Sequence, residues 1–215
     1  MRTAGGEVSV AEQVVGSPDR SDERRLLRLP PDRDRRAGPL SLVALTVAFN
    51  LWMLRAQALP TLEPNDNAVH LSMVRWAIAR MQGGHLPFDG WFPNLGLGSP
   101  LFHHYQSLPH ILTGVLGLAV GSDRAFFGSL YLLLATWPVS VYLGARLFGW
   151  ERWVAAAAAA VSTLLVSAPG YGYELGSYTW SGYGLWSQLW AMWLLPPALA
   201  LGWRAVAAVA LGRTW

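Results

Sequence analysis

The sequence predicts an all-α polytopic membrane protein, with about four transmembrane helices and amphipathic or re-entrant helices in the first outer loop. Three observations predict it. Hydrophobic residues make up 53% of the 215 residues and charged residues only 13%, against roughly 25% charged in a soluble domain. Apolar stretches recur near 39–59, 126–147, 153–169 and 185–203, and a span needs roughly 20 apolar residues. Trp150, Trp153 and Trp203 flank one interface of such a bundle and Trp180 and Trp186 the other, as aromatic belts do.

Composition also excludes classes. With no cysteine, disulfides and Cys-ligated metals are ruled out. The net charge of +3 reflects where the arginines sit, and no nucleic-acid partner is expected. All 16 basic residues are arginine and the apolar segments are alanine-rich. That bias resembles high-GC bacterial coding, so the expected location is a bacterial plasma membrane.

Residues 1–36 mix Arg20, Arg24, Arg25, Arg28, Arg33, Arg35 and Arg36 with Asp19, Asp22, Glu23, Asp32 and Asp34. So little apolar surface predicts a disordered, Arg-rich cytoplasmic tail. Residues 37–215 form the transmembrane module. Its first span runs from Pro39 to Leu59, too long for a signal-peptide core. It reads as an uncleaved helix, although Ala56 and Ala58 imitate a cleavage site.

Segment 126–147 qualifies as a span, 153–169 is short and weakly hydrophobic, and 185–203 carries Pro196-Pro197, which membrane helices tolerate. Segment 105–120 is ambiguous, because Gln106, Ser107, Pro109, His110 and Thr113 interrupt it. The arginines decide, since they prefer the cytoplasmic side. If 105–120 stays at the outer interface, Arg146, Arg152, Arg204 and Arg213 join the tail inside. The topology then has outer loops at 60–124 and about 170–184.

Within the first outer loop, Asn67 to Met81 predicts a helix on the membrane surface, with Val69, Met73, Trp76, Ile78 and Met81 on its apolar side. Gly83-Gly84 stops it. All 5 histidines (His70, His85, His103, His104 and His110) fall in this loop, just after Glu63-Pro64-Asn65-Asp66. An acid and clustered imidazoles beyond the first span point to a site at the outer face.

The order of these pieces resembles the N-terminal part of the C-type polytopic glycosyltransferases. The resemblance covers about residues 40–203. It is carried by Asp66, the helix Ala68–Met81, Gly84-His85-Leu86-Pro87 and Gly98-Ser99-Pro100-Leu101-Phe102-His103-His104-Tyr105. It implies a lipid-phosphate-linked sugar donor, membrane lipids as surroundings, and Asp66 as the catalytic carboxylate. That carboxylate would act as general base or as ligand to a divalent cation. It also implies Glu174 as a second carboxylate and Arg124 as a basic partner of the loop-one acid. His70, His103, His104 and Tyr105 are the other candidate substrate-binding residues.

Each residue has a plainer reading. Asp66 precedes a helix and suits an N-cap. His70 lies one turn on, on the same face, and suits the interface as well as the carboxylate or a metal. His103 and His104 are adjacent and point differently, which disfavours a shared metal. Tyr105 suits an interfacial anchor, and Glu174 a solvated loop. Two other classes stand beside the transferase: a non-catalytic membrane scaffold and a transporter-like subunit. The chain stops soon after its fourth apolar segment, which reads as a fragment of a longer protein. Sugar, acceptor, metal and oligomeric state are not encoded legibly.

Overall fold

A computed structural model describes residues 37–60, 66–164 and 186–210. The predicted tail 1–36 and second outer loop lie outside these residues, and Glu174 with them. The described chain is all-helical: α1 (Ala37–Met53), α2 (Asn67–Gln82), a single turn α3 (Leu101–His104), α4 (Ser107–Val120), α5 (Ser122–Ala135), α6 (Trp137–Leu147), α7 (Arg152–Val161) and α8 (Trp186–Ala210). No strand occurs among the described residues; one isolated antiparallel bridge pairs Phe92 with Ser99.

By length and composition, one helix (Trp186–Ala210) is long and apolar enough to cross a membrane, or two helices if the bent pair α5–α6 counts as one span. The four spans expected from the sequence are not supported on that criterion. Helix α1 ends after 17 residues and gives way to a 3-10 turn at Arg55–Ala58. Helix α7 ends after 10, in a 3-10 turn at Ser162–Leu164.

The single span predicted at 126–147 is broken. Helices α5 and α6 meet at 50° around Thr136. Pro138 causes this, because it lacks an N–H and its ring crowds the carbonyl of Leu134. Val139 N bonds back only to Thr136 O at 2.9 Å. Neighbouring helices satisfy the loosened backbone. Asn50 Nδ2 donates to Ala135 O across 3.3 Å. Thr136 Oγ1 donates to Leu132 O at 2.6 Å and accepts from Trp193 Nε1 at 3.1 Å. Such repair from adjacent helices is what makes a proline break tolerable inside a membrane.

Small and polar residues face the helix contacts, and large apolar residues face outward. On α4 the buried stripe is His110, Thr113, Gly114 and Gly117. Leu108, Leu112, Val115, Leu116 and Leu118 are exposed. On α7 the buried residues are Ala155, Ala156 and Ala159, with Trp153, Val154 and Val161 outside. Close approach is the reason for small residues: a Cβ on Gly144 of α6 would lie 2.7 Å from Pro196 Cβ and 2.8 Å from its backbone carbon. Large apolar side chains are exposed along α4, α7 and α8, and small residues at contacts recur in helices packed in lipid.

Helix α2 forms where predicted, ending at Gln82 with Gly83 as its C-cap and Gly84 at φ 73°. Its role differs from the expected surface helix. Asn67, His70, Met73, Val74 and Ala77 are buried, because α2 packs on α4 and α5. Loop 83–100 folds back over α2, with Phe92 and Phe102 packed against Met73 and Ala77. This small core fixes the position of Tyr105.

Candidate functional site

The centre of the site is a pair of imidazoles. His70 on α2 and His110 on α4 are fully buried, and His70 Nδ1 lies 2.9 Å from His110 Nε2. The backbone carbonyl of Gln106 accepts a hydrogen bond from His110 Nδ1 at 2.7 Å. A carbonyl only accepts, so Nδ1 of His110 carries the proton and its Nε2 is a lone pair. His70 Nδ1–H therefore donates to that lone pair.

Aromatic rings enclose the pair. Trp186, the first residue of α8, stands 5.6 Å from His70 and 5.0 Å from His110, ring centre to ring centre. Tyr105 is 6.1 Å from His70, and Phe102 is 6.0 Å from His110. Trp186 is itself anchored: its Nε1 donates to Ser129 Oγ at 3.1 Å, and Ser129 donates to Phe126 O at 2.7 Å. Burial, then the neighbouring His70, push the His110 pKa down to about 3, so this ring is neutral at physiological pH.

Beside the pair lies a cavity of about 200 Å³ lined by Asp66, Val69, His70, Met73, Leu95, Leu101 and Tyr105. Three predicted site residues thus converge. Asp66 is exposed, adopts helical angles (φ −54°, ψ −18°) and makes no side-chain cap hydrogen bond. The plain N-cap reading therefore has no bond to rest on. On the other side of the 105–106 segment, an apolar groove of about 750 Å³ runs between α4, α5 and α8. Leu108, Leu112, Leu133, Trp190 and Leu194 line its walls, with Gln106, Ser187 and Gln188 as polar members. Ser187 Oγ donates to Gln106 Oε1. Tyr105 of the cavity and Gln106 of the groove are consecutive in the chain.

The remaining predicted residues lie elsewhere. His103 is exposed and faces Asp89, with Nε2 3.9 Å from Oδ1. His104 is exposed and lines neither cavity nor groove. Arg124 is exposed at the start of α5 and lines neither. The ion pair in this region belongs to its neighbour: Arg75 Nη2 donates to Asp123 Oδ1 at 2.8 Å. That hydrogen bond from Arg75 holds the Asp123 carboxyl below its usual range. Sequence reasoning missed Gln106, His110 and Trp186 as site residues, and it assigned Trp186 to an aromatic belt although the ring is wholly buried.

A divalent cation fits poorly. Asp66 and His70 supply two donors, and no cluster of three or more His, Asp or Glu suited to a metal occurs among the described residues. No known protein family matches this sequence, and no curated protein or solved structure does either.

Proposed function

We propose that the chain is a membrane-embedded, C-type glycosyltransferase-like module acting on a lipid-phosphate-linked sugar at the outer membrane face. The observation that carries this reading is that a small cavity holding Asp66, His70 and Tyr105 among apolar residues lies next along the chain to a larger apolar groove. An amphiphile with a sugar head and a hydrocarbon tail matches both: the head in the Asp66–His70–Tyr105 cavity, the tail along Leu112, Trp190 and Leu194. Asp66 is the carboxylate of the cavity and supplies its charge. In the transfer, the acceptor hydroxyl loses its proton within the cavity, its oxygen bonds to the anomeric carbon, and the lipid phosphate leaves with the bonding electrons.

The membrane setting is supported by helix α8, by the outward-facing leucines and by the charge distribution. Trp186 begins α8 beside the histidines, while Pro196 of the same helix meets Gly144 near the end of α6. Arg204 lies eight residues further, about 12 Å along the axis. Arg146, Arg152 and Arg204 thus gather away from the site, as cytoplasmic arginines do. In this reading α8 and the α5–α6 pair cross the bilayer, α1 and α7 pack beside them, and α4 stays at the outer interface.

The test uses a polyprenyl-phosphate sugar with a photoreactive group in its chain, added to the protein in lipid nanodiscs. Crosslinks should map to α4 and α8 around Leu112 and Leu194, and unlabelled polyprenyl-phosphate sugar should compete far better than polyprenol. Labelling spread evenly over the exposed leucines would contradict the reading.

A further inference from the structure

The cavity at the start of α2 has a definite sign of charge. Among the described residues that line it, Asp66 is the one acid, and no arginine is present. Asp66 is exposed, and its carboxylate makes no cap hydrogen bond. The arginines of α2 are engaged elsewhere. Arg75 pairs with Asp123 at 2.8 Å. Arg80 donates to Asp89 O and stands 5.7 Å from the centre of the Trp76 ring. His70 is buried and turned into its pair with His110. The adjoining sequence adds acid and no base: positions 61–65 and 165–185, which precede Asp66 and Trp186, contain Glu63 and Glu174 but no arginine, lysine or histidine. The ring of Tyr105 lines the same cavity and is 42% exposed. A carboxylate attracts a cation directly, and an aromatic face attracts one through its quadrupole. Both disfavour an anion. The volume of about 200 Å³ is below the roughly 300–1,000 Å³ of pockets that hold drug-sized ligands, and it suits a head group of about one ring.

We propose that Asp66 and Tyr105 make this cavity selective for charge: it takes a head group bearing a protonated amine in preference to a neutral one, and it turns acidic heads away. Asp66 pairs with the ammonium, and Tyr105 presents its ring face to it. For the transfer reaction, the class of donor is then a lipid-phosphate-linked amino sugar. That assignment rests on the transfer reading above, whereas the preference for a cation rests on the residues of the cavity itself. A phospholipid with an ethanolamine head presents the same ammonium on a hydrocarbon tail and is the second source to separate. Asp66 and Tyr105 are both exposed, so water and salt moderate the preference. An exposed ion pair and a cation–π contact together favour the amine by roughly tenfold, and by less at high salt.

The test is competition against a photoreactive polyprenyl-phosphate glucose, with the full chain in nanodiscs of phosphatidylglycerol, whose head carries no cation. Three polyprenyl-phosphate hexoses that differ only at the sixth carbon serve as competitors: 6-amino-6-deoxyglucose, glucose and glucuronic acid. The amine should compete roughly tenfold better than the alcohol, and the acid should be weakest. Asp66→Asn should bring the three together, and Asp66→Lys should reverse their order. Both variants are expected to fold, because the carboxylate makes no cap bond. A wild-type chain that binds the acid as well as the amine, or an Asp66→Asn chain that keeps the wild-type order, overturns the proposal. Phosphatidylethanolamine added to the same nanodiscs is the other arm. If it displaces the probe while no hexose improves on polyprenyl phosphate, the transfer reading fails and the cation preference stands. If neither the hexoses nor phosphatidylethanolamine show an advantage for the ammonium, the cation preference itself is refuted.

Discussion

His70 and His110, forty positions apart, are joined through one hydrogen bond of 2.9 Å between Nδ1 and Nε2. The bond ties α2 to α4 where Trp186 of α8 closes over both rings. Three helices therefore meet on a polar contact inside an otherwise apolar packing.

That contact makes stability pH-dependent. The His110 pKa is lowered to about 3 from 6.5, so the unfolded chain binds a proton that the folded chain refuses between these values. The stabilising effect of the neutral ring is complete above pH 6.5 and is lost as the pH falls toward 3. The slope is at most about 1.4 kcal/mol per pH unit from this group. Thermal unfolding in micelles at pH 7.5 and 5 should show a fall in Tm that His110→Gln largely removes. A Tm that is flat across this interval would contradict the buried neutral pair.

Asp66 offers a sharp separation of capping from chemistry. Its carboxylate makes no cap bond, so Asp66→Ala should cost well under the 1 kcal/mol or so of a lost N-cap. Asp66→Asn should be equally mild, as should Asp89→Asn in the exposed loop. Thermal denaturation of the three variants checks this. A loss near 1 kcal/mol for Asp66→Ala with none for Asp66→Asn would restore the capping role.

Helix packing depends on the absence of a side chain at position 144. A Cβ there would meet the backbone of Pro196, and proline backbone has no rotamer to yield. Gly144→Leu should destabilise by about 1–3 kcal/mol or more and separate α6 from α8. Gly128, which has open space around it, is the control, and Gly128→Ala should be near neutral. Membrane-inserted yield and Tm in detergent report both.

The proposed orientation places Gly149 in a cytoplasmic turn between α6 and α7. A reporter inserted there that is active only outside the cytoplasm should stay inactive, while the same reporter after Gly84 should be active. Strong activity at Gly149 would put α4 across the bilayer and invert everything after it.

Local signals were legible and distant ones were not. The periodicity of Val69, Met73 and Trp76 and the Gly83-Gly84 stop specify α2 almost to the residue, because helix and cap are local matters. Pro138 and Thr136 mark a break, but the 50° bend depends on Asn50 and Trp193 supporting the freed backbone from other helices. The site divides the same way. Asp66, His70 and Tyr105 were identifiable, and they share one cavity. His103, His104 and Arg124 carry the same chemistry but point elsewhere, since residue type does not fix direction. His110 was visible as a polar residue on an apolar segment. Its small-residue register with Thr113, Gly114 and Gly117 was the available clue that this face, and not the leucine face, is buried. Nothing local reveals that Trp186, 76 positions further along, covers it.

The most direct measurement is sugar transfer from a polyprenyl-phosphate donor to a hydroxyl acceptor by the wild-type chain and Asp66→Asn in the same nanodiscs. The account predicts transfer by the wild type and a clear loss of rate in Asp66→Asn, with unchanged insertion and Tm. Equal rates for the two proteins would contradict it.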